Sequence, residues 1–418
     1  MGRLQSVEAR MLRGLQRAPR WVNGTVDFVV DTVVLRAAEA VRYRRFNATS
    51  AHAAVPPPVP VPAERQRVLV APLNFAGQGN AWARAISSHV PGAGAVNLTI
   101  EYPGDLGFPT DRAVPHRVNR YSREWQVQES EHVVDSFTHV LVEAEAAIFG
   151  ARFRKSPEKE RDFFERHGLS PAYIAHGSDI RSPRRHREAE AFSPFLDDGS
   201  YFDRVQRRVD RNIRFLRNSG RQVFLSTPDL IEDYPDGTWV PVVVDVERWA
   251  SGSEPPGGQG ASSGVPRVLH TPSRLAVKGT HLIRETVTGL SEQRIIAYSE
   301  ISGVPSSQIQ AEVLRSDIVL DQFRLGSYGV AACEAMAAGK VVVGHVSERV
   351  RSFVLNETGL DLPIVEATPA TIEVVLTGLV SDAGRLAEIG AAGQVFARHV
   401  HDGRMSAAAL DRHWLRKP

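Results

Sequence analysis

The sequence predicts an α/β chain of two domains in series, each a mostly parallel sheet covered by helices. Three observations predict it. Short apolar strand-like runs alternate with helical stretches, the alternation begins afresh near residues 67 and 267, and the tract SGSEPPGGQGASSGVP (Ser251 to Pro266) between the two runs has the composition of a flexible linker. At 418 residues the chain is long enough for two full cores, and 42% hydrophobic with 23% charged residues is an ordinary globular composition. The expected division is an extension over 1–64, a first domain over 65–250, a linker over 251–266 and a second domain over 267–418.

The first fifty residues are basic, nine arginines against four acids, and Val26, Val29, Val30, Val33 and Val34 recur at helical spacing. Such a helix can rest on an anionic membrane or pack its apolar stripe on the protein body. The run VPPPVPVPA (Val55 to Ala63) reads as an extended proline linker. A net charge of +2 argues against a dedicated nucleic-acid binder, and the single Cys333 excludes an internal disulfide framework. No run approaches the roughly 20 apolar residues of a spanning helix, and Asp27 and Asp31 interrupt any signal core. The expected place is the cytoplasm, peripherally at the inner face of the membrane if the basic extension binds it.

RVLVAP (Arg67 to Pro72) is a buried strand, NFAGQGN (Asn74 to Asn80) a loop, and Ala81 to Ser88 a helix, the entry of a Rossmann-type unit. Gly77 and Gly79 fit the first two glycines of G-x-G-x-x-G, but Trp82 stands at the third, where close packing requires a small residue. Glu101, ending the strand Ala95 to Ile100, can imitate a ribose-binding acid, so a nicotinamide-dependent oxidoreductase remains a rival reading. Then come the strand Thr138 to Val142, the helix Glu158 to His167, and the strand Tyr173 to Ala175 running into His176. They are followed by the basic helix Phe202 to Leu216 and the strands Val223 to Ser226 and Trp239 to Val244. His176 opens HGSDIRS, with Asp179 and Arg181 in the turn that follows. A histidine beside an acid can orient a hydroxyl or exchange a proton near neutral pH; it can equally be a structural histidine satisfied locally. Pro103 to Arg123 carries no readable pattern.

Beyond the linker the expected elements are a strand Arg267 to Leu269, a helix His281 to Gly289, a strand Arg294 to Tyr298, a helix Gln308 to Arg315, and then SDIVLDQFRLGSYGVAACEAMAAGKVVV (Ser316 to Val343). This last stretch is strand, glycine loop, helix and strand, with Gly339 at the helix C-cap. A helix that begins just after a glycine loop aims free N–H groups and a positive dipole end at the strand ends, which suits a phosphate. Glu334 lies on that alanine-rich helix, so its carboxylate is partly buried and needs partners: a pair of sugar hydroxyls, or a salt bridge to Arg or Lys. Arg274 and Lys278, in HTPSRLAVKGT after the first strand of this domain, can neutralise a diphosphate or remain surface charges. The tail Ala370 to Leu415 is helical in pattern.

YGVAACEAMAAGKVVV resembles the donor-site signature of retaining glycosyltransferases built from two Rossmann-like domains facing a central cleft, the GT-B architecture, and especially family 4 with its E-x7-E pattern. HGSDIR is similar to that family's loop with a histidine beside the reacting sugar, and SRLAVKG to its donor-phosphate element. The resemblance spans most of Arg67 to Val343. It implies that Glu334 holds a ribose, that Arg274 and Lys278 meet the donor diphosphate, that His176 lies by the sugar, and that Ser327, Tyr328 and Gly329 touch the donor through their backbone. It implies no metal and no cofactor.

Three departures stand out. Gly326 occupies the position of the first Glu, which in the family contacts the donor hexose; the Arg-to-Lys spacing is one residue short; and Lys340 with Val341 replaces x-P. Asp321 and Gln322, polar residues at the same strand end, are candidates to replace the lost acid, or merely cap the strand. The expected activity is sugar transfer from a nucleotide diphosphate sugar to the hydroxyl of a glycan, lipid or small molecule, in cell-envelope glycan or glycolipid synthesis. The alternative within the same fold is a protein that binds a nucleotide sugar or glycan without transferring it.

Overall fold

The computed structural model describes residues 46, 55–197, 199–251, 264–272 and 274–416. The basic helix expected near the N-terminus and most of the tract 251–266 lie outside the described residues.

The first lobe holds seven strands: β1 (Gln66–Ala71), β2 (Ala93–Glu101), β3 (Arg112–Pro115), β4 (His139–Glu143), β5 (Ser170–Ala175), β6 (Val223–Leu225) and β7 (Thr238–Trp239). All pair parallel, in the order β3-β2-β1-β4-β5-β6-β7, with Leu69 opposite Val96 on one side and Val140 on the other. The second lobe holds β8 (Arg267–His270), β9 (Ala297–Glu300), β10 (Ile318–Leu320), β11 (Val341–Gly344) and β12 (Ile364–Glu366), parallel in the order β12-β11-β10-β8-β9.

Both sheets are covered on both faces, which is why their strands read as continuous apolar runs. In β1, Leu69 and Ala71 face one core while Val68 and Val70 face another. In β10, Val319 faces one core and its neighbours Ile318 and Leu320 the opposite one. Each sheet reverses its winding once, between β1 and β4 in the first lobe and between β8 and β10 in the second. The carboxyl ends of those strand pairs flank a crevice, the place where doubly wound sheets bind ligands.

Several expected elements move. The strand expected over Arg294 to Tyr298 begins at Ala297, because Arg294 is left-handed (φ 59°) and its N–H closes a turn onto Ser291 O. Of the expected strand Trp239 to Val244 only Trp239 lies in β7, which begins at Thr238 and pairs with β6; Pro241 has no N–H to carry the ladder further. The unread stretch Pro103 to Arg123 supplies β3 and the short helix His116–Tyr121. The proline run is no free linker: Val59 is 1% exposed, donates its N–H to Glu129 Oε1 (3.1 Å) and accepts from His132 Nε2 through its carbonyl oxygen (2.9 Å), a strap on the first lobe.

The tail divides. Helices Ile372–Val380 and Ala383–Val400 pack in the second lobe, whereas Arg404–Leu410 returns to the first, against the helix Gln78–His89. Trp414 and Leu415 enter the core behind β1, and Gln66 Nε2 donates to Leu415 O at 2.7 Å. Among the described residues no helix is long and apolar enough to cross a membrane.

Candidate functional site

The loop from Asp321 to Gly329 leaves β10 at the switch point of the second sheet and feeds the helix Val330–Ala337. Gln322, buried, donates its side-chain amide to Ser327 O and so ties the loop across its own neck. Gly326 takes φ +62° and its carbonyl accepts from Ser347 N–H at 3.0 Å. Tyr328 turns inward, edge-on to His401 with ring centroids 5.7 Å apart, so only its backbone can reach a ligand. Gly329 caps the helix without a side chain, leaving the first-turn N–H groups without a side-chain acceptor.

Glu334 lies in the second turn of that helix. Among the described residues its carboxylate makes no hydrogen bond or ion pair, so the salt bridge weighed from sequence is not formed. Burial pushes this carboxyl up to about 7, against the opposite pull of Arg248 and Lys278. Lys278 reaches the end of β10 and pairs with Asp321, which is only 3% exposed as a side chain. The ion pair thus ties the short helix that follows β8 to the end of β10, at the switch point of the sheet. Arg274 is exposed ahead of the short helix Leu275–Lys278, and among the described residues it has no ion-pair partner. The cation that joins Lys278 in acting on Glu334 is Arg248, on the helix Val246–Ala250, which the sequence had not singled out.

In the first lobe, Glu143 ends β4 fully buried. It accepts the N–H groups of Leu73 (2.9 Å) and Asn74 (3.0 Å), and a Cβ on Gly79 would lie 3.0 Å from its Oε2. Gly79 therefore permits close approach of backbone to a carboxylate, not to a phosphate. Gly77 supplies a left-handed turn (φ 76°) beside Phe108. Trp82 is buried, with Nε1 donating to Pro241 O at 3.1 Å.

His176 sits over this loop rather than over its own turn. Its ring meets Phe75 at 5.2 Å and Trp82 at 5.4 Å, and Nε2 lies 3.2 Å from Glu143 Oε1, out of line for a hydrogen bond. The acid beside the imidazole is Glu143. Asp179 instead accepts the backbone N–H groups of His176 (2.9 Å) and Gly177 (2.5 Å), a turn cap. Arg181 is buried and bonded to Asp229 Oδ2 through Nε at 2.7 Å. Burial works to raise the Asp229 carboxyl, but Arg181 and the nearby Ser327 hydroxyl of the other lobe hold it below its usual range, although Ser327 Oγ has no aligned hydrogen bond. Glu145, just beyond β4 on a left-handed stretch (φ 52°), is another buried acid at this end of the sheet. Burial first, and then Asp179, push its carboxyl well up, while Asn212 donates to it at 3.1 Å.

The lobes touch where the loop Phe323 to Gly326 meets the segment after β5. Arg324 is embedded in that segment, bonded to Phe192 O, Ser193 O and the Asp197 carboxylate. His186 Nε2 faces Leu325 O at 3.4 Å, and Glu190 reaches His345, which follows β11, at 2.8 Å. Hydrogen bonds to Glu190 and Glu366 raise the His345 imidazole to about 9. Arg324, Glu190 and His345 carry no motif, which is why sequence reading passed over them.

No family model and no curated protein matches the sequence. Solved structures do match in shape. HepE from Anabaena, crystallised with UDP and glucose, is 12% identical over 82% of this chain and 98% of its own, with a TM-score of 0.50. A glycosyltransferase from Rickettsia africae is 11% identical over 83% and 97%, also with a TM-score of 0.50. The shared feature is the fold: two Rossmann-like lobes facing a cleft, the GT-B architecture.

Proposed function

We propose that this chain is a glycosyltransferase that moves a sugar, with retention, from a nucleotide diphosphate sugar to an acceptor hydroxyl. The observation that carries the reading is Glu334: a recessed carboxylate with no protein partner among the described residues, one turn inside a helix whose first N–H groups have no side-chain cap. Ribose hydroxyls would satisfy the carboxylate, and a pyrophosphate the helix start. Lys278, held by Asp321, has ammonium donors to spare for that pyrophosphate, and Ser327, Tyr328 and Gly329 offer it backbone. Arg274 would reach it only by swinging in from the surface.

In the proposed step the bond from the sugar's anomeric carbon to the diphosphate oxygen breaks while the acceptor oxygen bonds to the same face. The acceptor proton passes to the departing phosphate oxygen. Lys278 and the helix start stabilise the charge that develops there. His176, packed against Phe75 and Trp82, would approach the sugar from the first lobe. The acceptor, a glycan, lipid or small molecule, would enter by the first lobe; envelope glycan or glycolipid synthesis at the inner membrane face is the setting that suits the basic N-terminus.

A thermal-shift screen of nucleotide sugars tests the reading, because a ligand at about 100 times its Kd adds about 2.7 kcal/mol of stability. The expected result is a shift with one base's diphosphate and its sugar conjugate, lost in E334A. No shift across UDP-, GDP- and ADP-sugars would overturn it. A shift without turnover, with cell extract as the source of acceptor, would favour a binding protein instead.

A further inference from the structure

A pyrophosphate at the start of the helix Val330–Ala337 leaves its sugar beside the loop Phe323 to Gly329, on the side that the first lobe closes. That side is organised around Gly326. Its φ is +62°, and a Cβ there would come within 2.6 Å of the Glu190 carboxyl carbon. Only glycine lets a carboxylate from the other lobe lie against this backbone.

Glu190 follows the helix Pro183–Ala189 and is 8% exposed. Its Oε2 meets His345 Nε2 at 2.8 Å, and His345 Nδ1 meets Glu366 Oε1 at 2.6 Å. Glu366 is fixed in turn by Val346 N–H (2.8 Å) and Arg351 (3.2 Å), and the His345 N–H donates to Gln322 O at 2.8 Å. The carboxylate is thus braced from behind. Its Oε1 faces Gly326 and has no hydrogen-bond partner among the described residues. The Glu190 side chain is 10% exposed, so its free oxygen meets solvent, and a sugar hydroxyl can take the place of water there.

We propose that Glu190 accepts a hydroxyl of the transferred sugar above Gly326, so that the first lobe reads the sugar while the second holds the nucleotide. This rests on the donor site proposed above. It makes recognition of the sugar depend on the two lobes being in contact, since the acid and its glycine belong to different lobes.

Calorimetry of the full chain and of E190Q, with two probes, tests it: the nucleoside diphosphate that shifts the melting point (UDP, GDP or ADP) and its glucose or mannose conjugate. E190Q is expected to leave the diphosphate Kd within about twofold and to weaken the sugar conjugate about tenfold or more. E366Q removes the other half of the His345 clamp and leaves Glu190 intact. It is expected to change the sugar's contribution by less than about threefold, whereas a purely structural latch would make E366Q behave like E190Q. Equal effects of E190Q on both probes, or none on either, overturn the assignment. Should E190Q not fold, E190D serves in its place, with the same split expected. If wild type binds no diphosphate, the donor site itself falls; if it binds diphosphate and the E190Q split is absent, only Glu190 falls.

Discussion

Arg324 crosses from the second lobe to hold Asp197 of the first in a two-pronged pair, Nη1 to Oδ2 at 2.6 Å and Nη2 to Oδ1 at 2.8 Å. The same guanidinium donates to the carbonyls of Phe192 (2.7 Å), Ser193 (2.8 Å) and Ala276 (3.0 Å). Arg324→Ala strands those carbonyls and is expected to destabilise the protein by about 2–4 kcal/mol, with Arg324→Lys recovering less than half, because an ammonium cannot match the fork. Urea unfolding monitored by fluorescence checks it. Equal stability of the alanine and wild-type proteins would mean the contact is incidental to the interlobe surface.

The Glu143 carboxylate stands where a cofactor pyrophosphate would have to approach the first glycine loop. It already accepts from Leu73 and Asn74, and Gly79 brings the backbone onto it. A fully buried anion in this position repels a second one. NADH is therefore expected not to bind, with no change in its fluorescence up to millimolar concentration. Glu143→Ala leaves two N–H groups without acceptors and is expected to lower stability by about 2–4 kcal/mol, read by thermal melting.

The sheets were legible because parallel strands buried on both faces must be apolar throughout. Val341–Gly344 and Ile318–Leu320 stand as the runs of the sequence indicated. The same rule hid β3, a four-residue edge strand in which only Val114 is buried, and misplaced β9, where a left-handed Arg294 shifts the start. The placement of Asp321 at a strand end and of Glu334 on the helix after the glycine loop was legible from local pattern. The position of His176 at the end of β5 was legible, but its acid neighbour was not: Asp179 lies three residues on, whereas Glu143 comes from the adjacent strand. Glu190 was beyond reach, since nothing local marks a residue whose role is to fill the space above a glycine in the other lobe.

Two of the shifted groups, one in each half of the pH range, shape the stability profile. Glu334 is raised from 4.5 to about 7 when folded, so folding favours its protonated form. Its effect on stability worsens as pH rises from 4.5 to 7 and is constant above. His345 is raised from 6.5 to about 9, so the stability it contributes is complete below 6.5 and is lost as pH rises through 9. Melting temperature is expected to fall from pH 5 to pH 9.5, with E334Q reducing the fall in the acid half, where burial also raises the Glu160 carboxyl to about 7, and H345Q flattening the alkaline half. Nucleotide binding should run the other way. A ribose-holding Glu334 must be ionised, so affinity for the diphosphate is expected to be about tenfold higher at pH 8 than at pH 6. E334Q should remove the part of that rise that does not come from the phosphate itself.

Lys278 and Asp321 offer the sharpest separation of stability from catalysis. Asp321 is almost completely buried, and Lys278 is the only side chain that an ion pair brings to it among the described residues. Lys278→Met alone strands that carboxylate, which is expected to cost about 3–5 kcal/mol; a loss of activity in this variant would therefore prove little. Lys278→Met with Asp321→Asn removes both charges together, and its stability is expected to return to within about 1–2 kcal/mol of wild type. If Lys278 stabilises a departing diphosphate, the folded double variant still lacks the cation and should lose about 100-fold in kcat with a smaller change in KM. Steady-state transfer or donor hydrolysis, measured beside a melting curve on the same samples, decides the matter. A double variant that is both stable and active would make the pair a fastener between the helix Leu275–Lys278 and the end of β10, and the cation at the leaving group would have to be Arg274 or Arg248.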